Sequence, residues 1–277
     1  MNKSANTKKN YIIDIEQFLD FVEENELSFE NSLEKLIKEY VQLLSSKFSQ
    51  STVNRKIISL NNFLIYLNKR EVIEQIPKHI LKPIDVTKSE IKLINNKQME
   101  HILSFWQLKY HSSTDQDYQW IALRNHCIVL IIAELGLKPI EVVEMQWNHF
   151  EGNKVEIKKN KKYRKLEVSS NLLSLLYIYK KETEKIFVQY NPSGYIWLGL
   201  GNKVNEGISV KTIERIFQQI SKELGVKVTA TAIRYAKIHQ KIQEKEISKE
   251  KIDELYASFG YARKSVLTDV ANRFLME

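Results

Sequence analysis

The stretch ELGLKPIEVVEMQW, Glu134 to Trp147, decides how the rest of the chain is read. Its first part closes a helix at Gly136, a residue type suited to the left-handed turn that ends helices. Lys138-Pro139 then makes a corner, because proline disfavours a helical residue before it. A second helix is expected from about Ile140 into Trp147. A lysine at such a corner can aim its charge at a ligand; the plainer alternative is a solvated charge at a helix end.

Working outward, the preceding IALRNHCIVLIIAEL is apolar nearly all round, which places it at the centre of a core. In the following NHFEGNKVEIKKNKKYRKLEVSS, EGN makes a turn, and the alternation of Val155 and Ile157 with Leu166 and Val168 suits two strands joined by a very basic hairpin. Helical spacing returns in SSNLLSLLYIYKKETEKIF, in VKTIERIFQQISKELG with its stop at Gly225, in TATAIRYAKIHQKIQEK and in KEKIDELYASFG. NPSGYIWLGLGNKVNEGIS is turn-rich and suits one short strand, and YARKSVLTDVANRFLME reads as a tail.

Toward the start, KQMEHILSFWQLKY is a helix, preceded by the polar span 85–97, which reads as a linker. Three amphipathic helices come before it. The first has an apolar face of Ile12, Ile15, Phe18, Leu19 and Val22, and the second of Leu33, Leu36, Ile37, Tyr40, Val41 and Leu44. The third has Ser51 and Thr52 as cap candidates and carries Val53, Ile57, Leu60, Phe63, Leu64 and Leu67 on one face, with Arg55 and Lys56 on the polar one. The expected architecture is mainly α: a helical domain over 1–84, a linker over 85–97, and over 98–277 a mostly helical domain with a small antiparallel β-sheet.

Charge separates the two parts. Residues 1–92 hold 14 Lys+Arg against 13 Asp+Glu, and residues 93–277 hold 28 against 21. A clustered basic excess favours a polyanionic partner, double-stranded DNA above all. Six of the eight residues in KKNKKYRK, 158 to 165, are basic. On two strands they make a strong local positive potential suited to phosphate. The single cysteine, Cys127, builds neither a disulfide framework nor a thiolate metal cluster within one chain. His79, His101, His111, His149 and His239 show no metal spacing, so no metal or cofactor is expected. No run of about 18 apolar residues suggests a membrane span, and MNKSANTKKN lacks a signal-peptide core, so the expectation is a cytoplasmic protein.

Four motifs in order now resemble the tyrosine recombinases, the phage-integrase family: STVNRKIISLNNFLIYLNKREVIEQIP its core-binding (SAM-like) helices, ELGLKPIEVVEMQW its helix-corner-helix, KKNKKYRKLEV its hairpin lysine motif, and TATAIRYAKIH its His-x-Leu-Arg helix. The resemblance implies a DNA-binding core domain followed by a catalytic-type domain. It also implies a degenerate pocket. Lys138 stands where the family has an arginine, Thr231 where it has a histidine before the arginine matched by Arg234, and Tyr261 where it has the histidine of a Leu-Gly-His segment. The nucleophilic tyrosine would fall near Val270 or Ala271. Lys159 best matches the hairpin lysine, with Lys161 as rival.

The implied DNA contacts are Arg55, Lys56, Lys138, Lys158, Lys159, Lys161, Lys162, Arg164 and Arg234. Arg234 has a structural alternative, a salt bridge to Glu141. The implied role is a non-cutting DNA binder, such as a repressor of a phage or mobile element, with self-association through the C-terminal tail as a further possible contact. An active recombinase using Tyr256 or Tyr261 as a displaced nucleophile and a protein-interaction module are the alternatives.

Overall fold

The computed structural model describes residues 5–25, 29–86, 91–159, 162–200, 205–243 and 249–274. The chain divides into two compact units, Met1–Ser89 and Glu90–Glu277.

The first unit packs α1 (Ala5–Glu24), α2 (Phe29–Lys47) and α3 (Gln50–Lys69) around Phe18, Leu36, Ile37, Tyr40, Leu44, Val53, Ile57, Leu60 and Leu64. The buried stripe of α1 differs from the expected one. Ile12 and Leu19 are exposed, while Asp14, four residues before Phe18, is buried. Asp14 goes inside because side chains of α3 meet its carboxylate there. The residue at the N-cap position of α3 is Ser49 rather than Ser51 or Thr52, both of which hydrogen-bond to its hydroxyl.

The second unit opens with α4 (Asn96–Ser112), which starts within the span expected as linker. A reciprocal cap explains the start: Gln98 N donates to Asn95 Oδ1 at 2.8 Å, and Asn95 N donates to Gln98 Oε1 at 3.1 Å. Next comes α5 (Gln116–Leu135), buried nearly all round from Trp120 onward as its composition requires, ending at Gly136 with φ +61°. The helix after the corner, α6 (Pro139–Val143), has five residues and does not run to Trp147. Tertiary pairing ends it early: Ile196 N donates to Met145 O at 3.1 Å, and Gln146 bridges Tyr195 in extended conformation. Trp147–His149 then form a single 3-10 turn.

The sheet is antiparallel in the order β1 (Phe150–Glu151), β2 (Lys154–Lys159), β3 (Lys162–Glu167), one short strand more than expected. α7 (Ser170–Ile186) follows. The turn-rich stretch after it has only isolated bridges among its described residues and not the expected strand. α8 (Val210–Leu224) stops at Gly225 with φ +66° and leads to α9 (Ala230–Gln243), α10 (Lys249–Ser258) and α11 (Lys264–Phe274). The last of these makes a helix of what reads in sequence as a tail. α10 and α11 share with α9 a small core of Ile238, Ile242, Leu255, Phe259, Leu267, Val270, Ala271 and Phe274, separate from the large core around α5. The expected class, mainly α with one small antiparallel sheet, is the class observed.

Candidate functional site

The corner after α5 anchors the site. Lys138 is the residue before α6, with φ −79° and ψ 149°, and Pro139 fills the first helical position, where a missing N–H costs nothing. Glu141 reaches back and accepts from Lys138 N at 2.9 Å. Its carboxylate is buried, and β3 supplies the counter-ion. Arg164 Nη1 donates to Oε1 at 3.1 Å and Nη2 to Oε2 at 2.9 Å, a two-pronged pairing that fixes both groups. Burial pushes the Glu141 carboxyl toward its neutral form, but the Arg164 hydrogen bonds and charge, with help from Lys138, outweigh it and hold the pKa below the usual value.

Register explains why an arginine from so basic a hairpin turns inward. Arg164 sits opposite Ile157, and Leu166 opposite Val155, so Arg164 lies on the face that packs on the core. Arg164 was expected among the DNA contacts; it is instead 12% exposed and committed to Glu141.

Lys138 Nζ donates to Gly260 O at 2.7 Å, lies 3.9 Å from Glu141 Oε1, and stands 5.5 Å from the centre of the Tyr261 ring. Arg234, from α9, is buried; it donates to Gly136 O through Nη1 and to Phe259 O through Nη2 at 2.7 Å. Its guanidinium faces the rings of Phe259 at 5.5 Å and Tyr261 at 5.1 Å. The salt bridge to Glu141 considered for Arg234 is replaced by these two carbonyls, and Glu141 goes to Arg164. Burial lowers the Arg234 pKa and raises that of Tyr261, opposed in the second case by the Arg234 charge. Gly260, at φ +56°, has no room for a Cβ, which would overlap the Arg164 guanidinium and come within 3.3 Å of Glu141 Oε1.

Arg164 and Lys138 therefore meet one carboxylate, and Arg234 stands near it on main-chain carbonyls. Lys138, Arg234 and Tyr261 come together in the structure. Thr231 does not join them in a hydrogen bond; it is exposed on the first turn of α9, beside Pro139, Phe217 and Val228 in a cleft of about 900 Å³. Val270 and Ala271 are buried in the small C-terminal core. Tyr256 Oη donates to Ala262 O at 3.4 Å.

On the hairpin, Lys158 is exposed with Nζ 5.9 Å from the Tyr163 ring centre, on the outer face that also carries Lys165. Lys159 and Lys162 are paired at the strand ends. Lys161 lies outside the described residues. In the first unit, Lys56 is not on a polar face: it is buried, donating to Asp14 Oδ1 at 3.0 Å and to Gln17. Ser59 donates to Asp14 at 2.8 Å, and Arg55, with its side chain 41% exposed, pairs with the same carboxylate. Asp14 escaped the sequence reading, although its place four residues before Phe18 and eight before Val22 signals the buried stripe.

No group of three His, Cys, Asp or Glu that could hold a metal is found among the described residues, and no described helix is long and apolar enough to cross a membrane.

Residues 1–71 match the family model described as phage integrase, N-terminal SAM-like domain. The chain is 31% identical over 175 residues to the tyrosine recombinase XerD-like protein of Streptococcus mutans, covering 62% of each chain. It is 23% identical over 231 residues to a tyrosine recombinase of Pseudothermotoga lettingae, covering 81% of this chain and 73% of that one. Against three curated relatives the match spans between 47% and 62% of the relative's own length.

Among solved structures, the XerH site-specific recombinase bound to a palindromic difH substrate superposes with a TM-score of 0.72 at 15% identity, covering 96% of this chain and 75% of that one. The Tn1549 transposon integrase in complex with transposon right end DNA gives 0.69 at 14%, covering 97% and 90%. The fold is that of the tyrosine recombinases, in agreement with the resemblance read from the four motifs.

Proposed function

We propose that the chain is a sequence-specific DNA-binding protein of tyrosine-recombinase fold that does not cut DNA, and that it acts as a repressor-type regulator in a phage or mobile element. One observation carries the reading. Lys138 and Arg234 converge where the resemblance puts phosphate-binding cations, whereas Val270 and Ala271, where it puts the nucleophile, are packed in an apolar core.

The chemistry follows from the side chains. Strand cleavage by this route needs a tyrosine oxygen to attack phosphorus and hold the DNA as a phosphotyrosine, while cations stabilise the developing charge and an acid protonates the leaving oxygen. Neither Val270 nor Ala271 has an oxygen to offer. Lys138 brings a point charge in place of a planar fork. Thr231 is a poor proton donor at neutral pH. Phosphate binding needs none of these losses repaired: the basic hairpin and the cations of the second unit can neutralise backbone charge and release counter-ions. The solved relatives named above are bound to DNA, which supports the same partner here.

A gel-shift selection from random duplex DNA should return a defined site, and on that site the protein should neither relax supercoils nor leave a denaturant-resistant adduct. Replacing Lys159, Lys161 and Lys162 together by alanine should weaken binding to all sequences and shallow its salt dependence by up to about three phosphate equivalents. An unchanged salt slope would remove the hairpin from the interface. The second reading, a displaced nucleophile, is favoured by the Tyr261 ring lying against both cations. Burial pushes its phenol away from ionisation, which argues against it. An adduct that forms with the unaltered protein and is lost in Tyr261→Phe would establish that reading over the first.

A further inference from the structure

The cation cluster is already occupied, and its occupant is the chain itself. Lys138, Arg164 and Arg234 bring three positive charges, and Glu141 returns one negative charge. Among the described residues, that excess faces neutral groups, namely the carbonyls of Gly136, Phe259 and Gly260 and the rings of Phe259 and Tyr261. All but the Gly136 carbonyl belong to one short segment, Phe259–Gly260–Tyr261, between α10 and α11. Carbonyl dipoles and a ring face satisfy buried cations less well than an anion does.

We propose that Phe259–Gly260–Tyr261 is an intramolecular plug, and that an oxyanion entering beside Lys138 and Arg234 displaces it. The α10–α11 pair then loosens from the corner after α5. The proposal rests on the phosphate-binding reading above for its natural ligand, but not for its test.

Three features make displacement feasible. The plug is held by one carbonyl hydrogen bond to Lys138 at the corner, one to Arg234 of α9, and ring contacts, all of them on cations that an oxyanion attracts more strongly. Glu141 and Arg164 keep each other when the segment leaves, so no buried charge is orphaned. α10 and α11 pack with α9 in a small core separate from the main one, so they can shift without opening the α5 core.

Closure and anion binding are then mutually exclusive, and linkage requires each to weaken the other by the same factor. Weakening the plug while keeping the cations must tighten anion binding; Tyr261→Leu does this, because it removes the ring and leaves Lys138 and Arg234 in place.

The experiment is amide hydrogen exchange on the full chain, in sulfate against chloride at matched ionic strength and, in a second arm, with duplex DNA. Exchange in α10 and α11 should quicken by roughly tenfold in sulfate, while α5 stays protected. Tyr261→Leu should show the quickened exchange in chloride alone and bind sulfate several-fold more tightly. Lys138→Met should quicken the same helices in chloride and lose the response to sulfate. Unchanged protection of α10 and α11 in sulfate, or sulfate affinity unaltered by Tyr261→Leu, overturns the plug. DNA binding by gel shift without any change in α10 and α11 overturns it too, and leaves the DNA reading standing. A sulfate response without any gel shift sustains the plug and removes the DNA reading.

Discussion

Each unit of the molecule buries one carboxylate among cations, and the two arrangements differ in what they leave over. In the first unit, Asp14 takes Lys56, Ser59 and the half-exposed Arg55, and the buried part of the set is one negative and one positive charge. In the second unit, Glu141 takes Arg164 in a two-pronged pair and still has Lys138 and Arg234 beside it, satisfied by carbonyls and rings. The first set is closed and acts as a joint between α1 and α3. Among the described residues the second holds more positive than negative charge, and such an excess is what an anionic ligand can use.

The largest effect that separates the two is on stability. Asp14→Ala leaves Lys56 buried without its anion, and unfolding by denaturant should register a loss of about 3–5 kcal/mol. Replacing both partners with apolar residues, Asp14→Leu with Lys56→Met, should recover most of that loss. The matching double change at the second site, Glu141→Gln with Arg164→Met, should not recover, because the buried Arg234 loses the one carboxylate described beside it. Equal recovery at both sites would abolish the distinction.

Acid provides a test of intermediate size. Burial pushes the His126 pKa in the second unit from 6.5 down to about 4, so the unfolded chain takes up a proton before the folded one does. That stabilisation is complete above pH 6.5 and is lost as pH falls from 6.5 to about 4, roughly 3 kcal/mol in all. The depressed Glu141 carboxyl acts lower: its contribution is present above its unfolded value of 4.5 and disappears as pH falls through the folded value. Unfolding free energy measured against pH should thus begin to fall below 6.5, and His126→Leu should flatten that first limb alone.

The smallest expected effect is at Lys158, on the outer face of the hairpin. Lys158→Ala should leave the melting temperature unchanged and shallow the salt dependence of DNA binding by about one phosphate equivalent. A change in melting temperature would mean that the outer face, like the inner one, is tied into the fold.

Much of the fold was legible because helix spacing and strand alternation report burial directly. Gly136 and Gly225 end helices as read, and the alternation of Val155 and Ile157 marks a strand. The second helix after the corner was misjudged in length because its end is set by residues 195–196, about fifty positions away, and no local pattern carries that pairing. At the site, Lys138, Arg234 and Tyr261 are singled out by the family resemblance, and the structure brings the three together. Arg164 and Lys56 were not, since a charged residue is by default placed outside. Yet Arg164 stands two residues before Leu166 on a strand, which is enough to put both on one face. What sequence could not show is that the partners of Arg234 are main-chain carbonyls, which no side-chain pattern encodes.

Among the described glycines, four sit at positive φ: Gly136, Gly152, Gly225 and Gly260. They divide by what lies where a side chain would go. At Gly152 and Gly225 that space is open, so the demand is torsional only, and Asn205 at φ +68° shows that an asparagine can meet such a demand in this chain. At Gly136 and Gly260 the space is filled, by Phe259 in one case and by Arg164 in the other. A library of random substitutions screened for folded protein should therefore recover asparagine at 152 and 225 and only glycine at 136 and 260. The two sites of that absolute requirement both touch the segment between α10 and α11, so the narrowest mutational tolerance in the second unit marks a volume that must stay empty rather than a group that must be present.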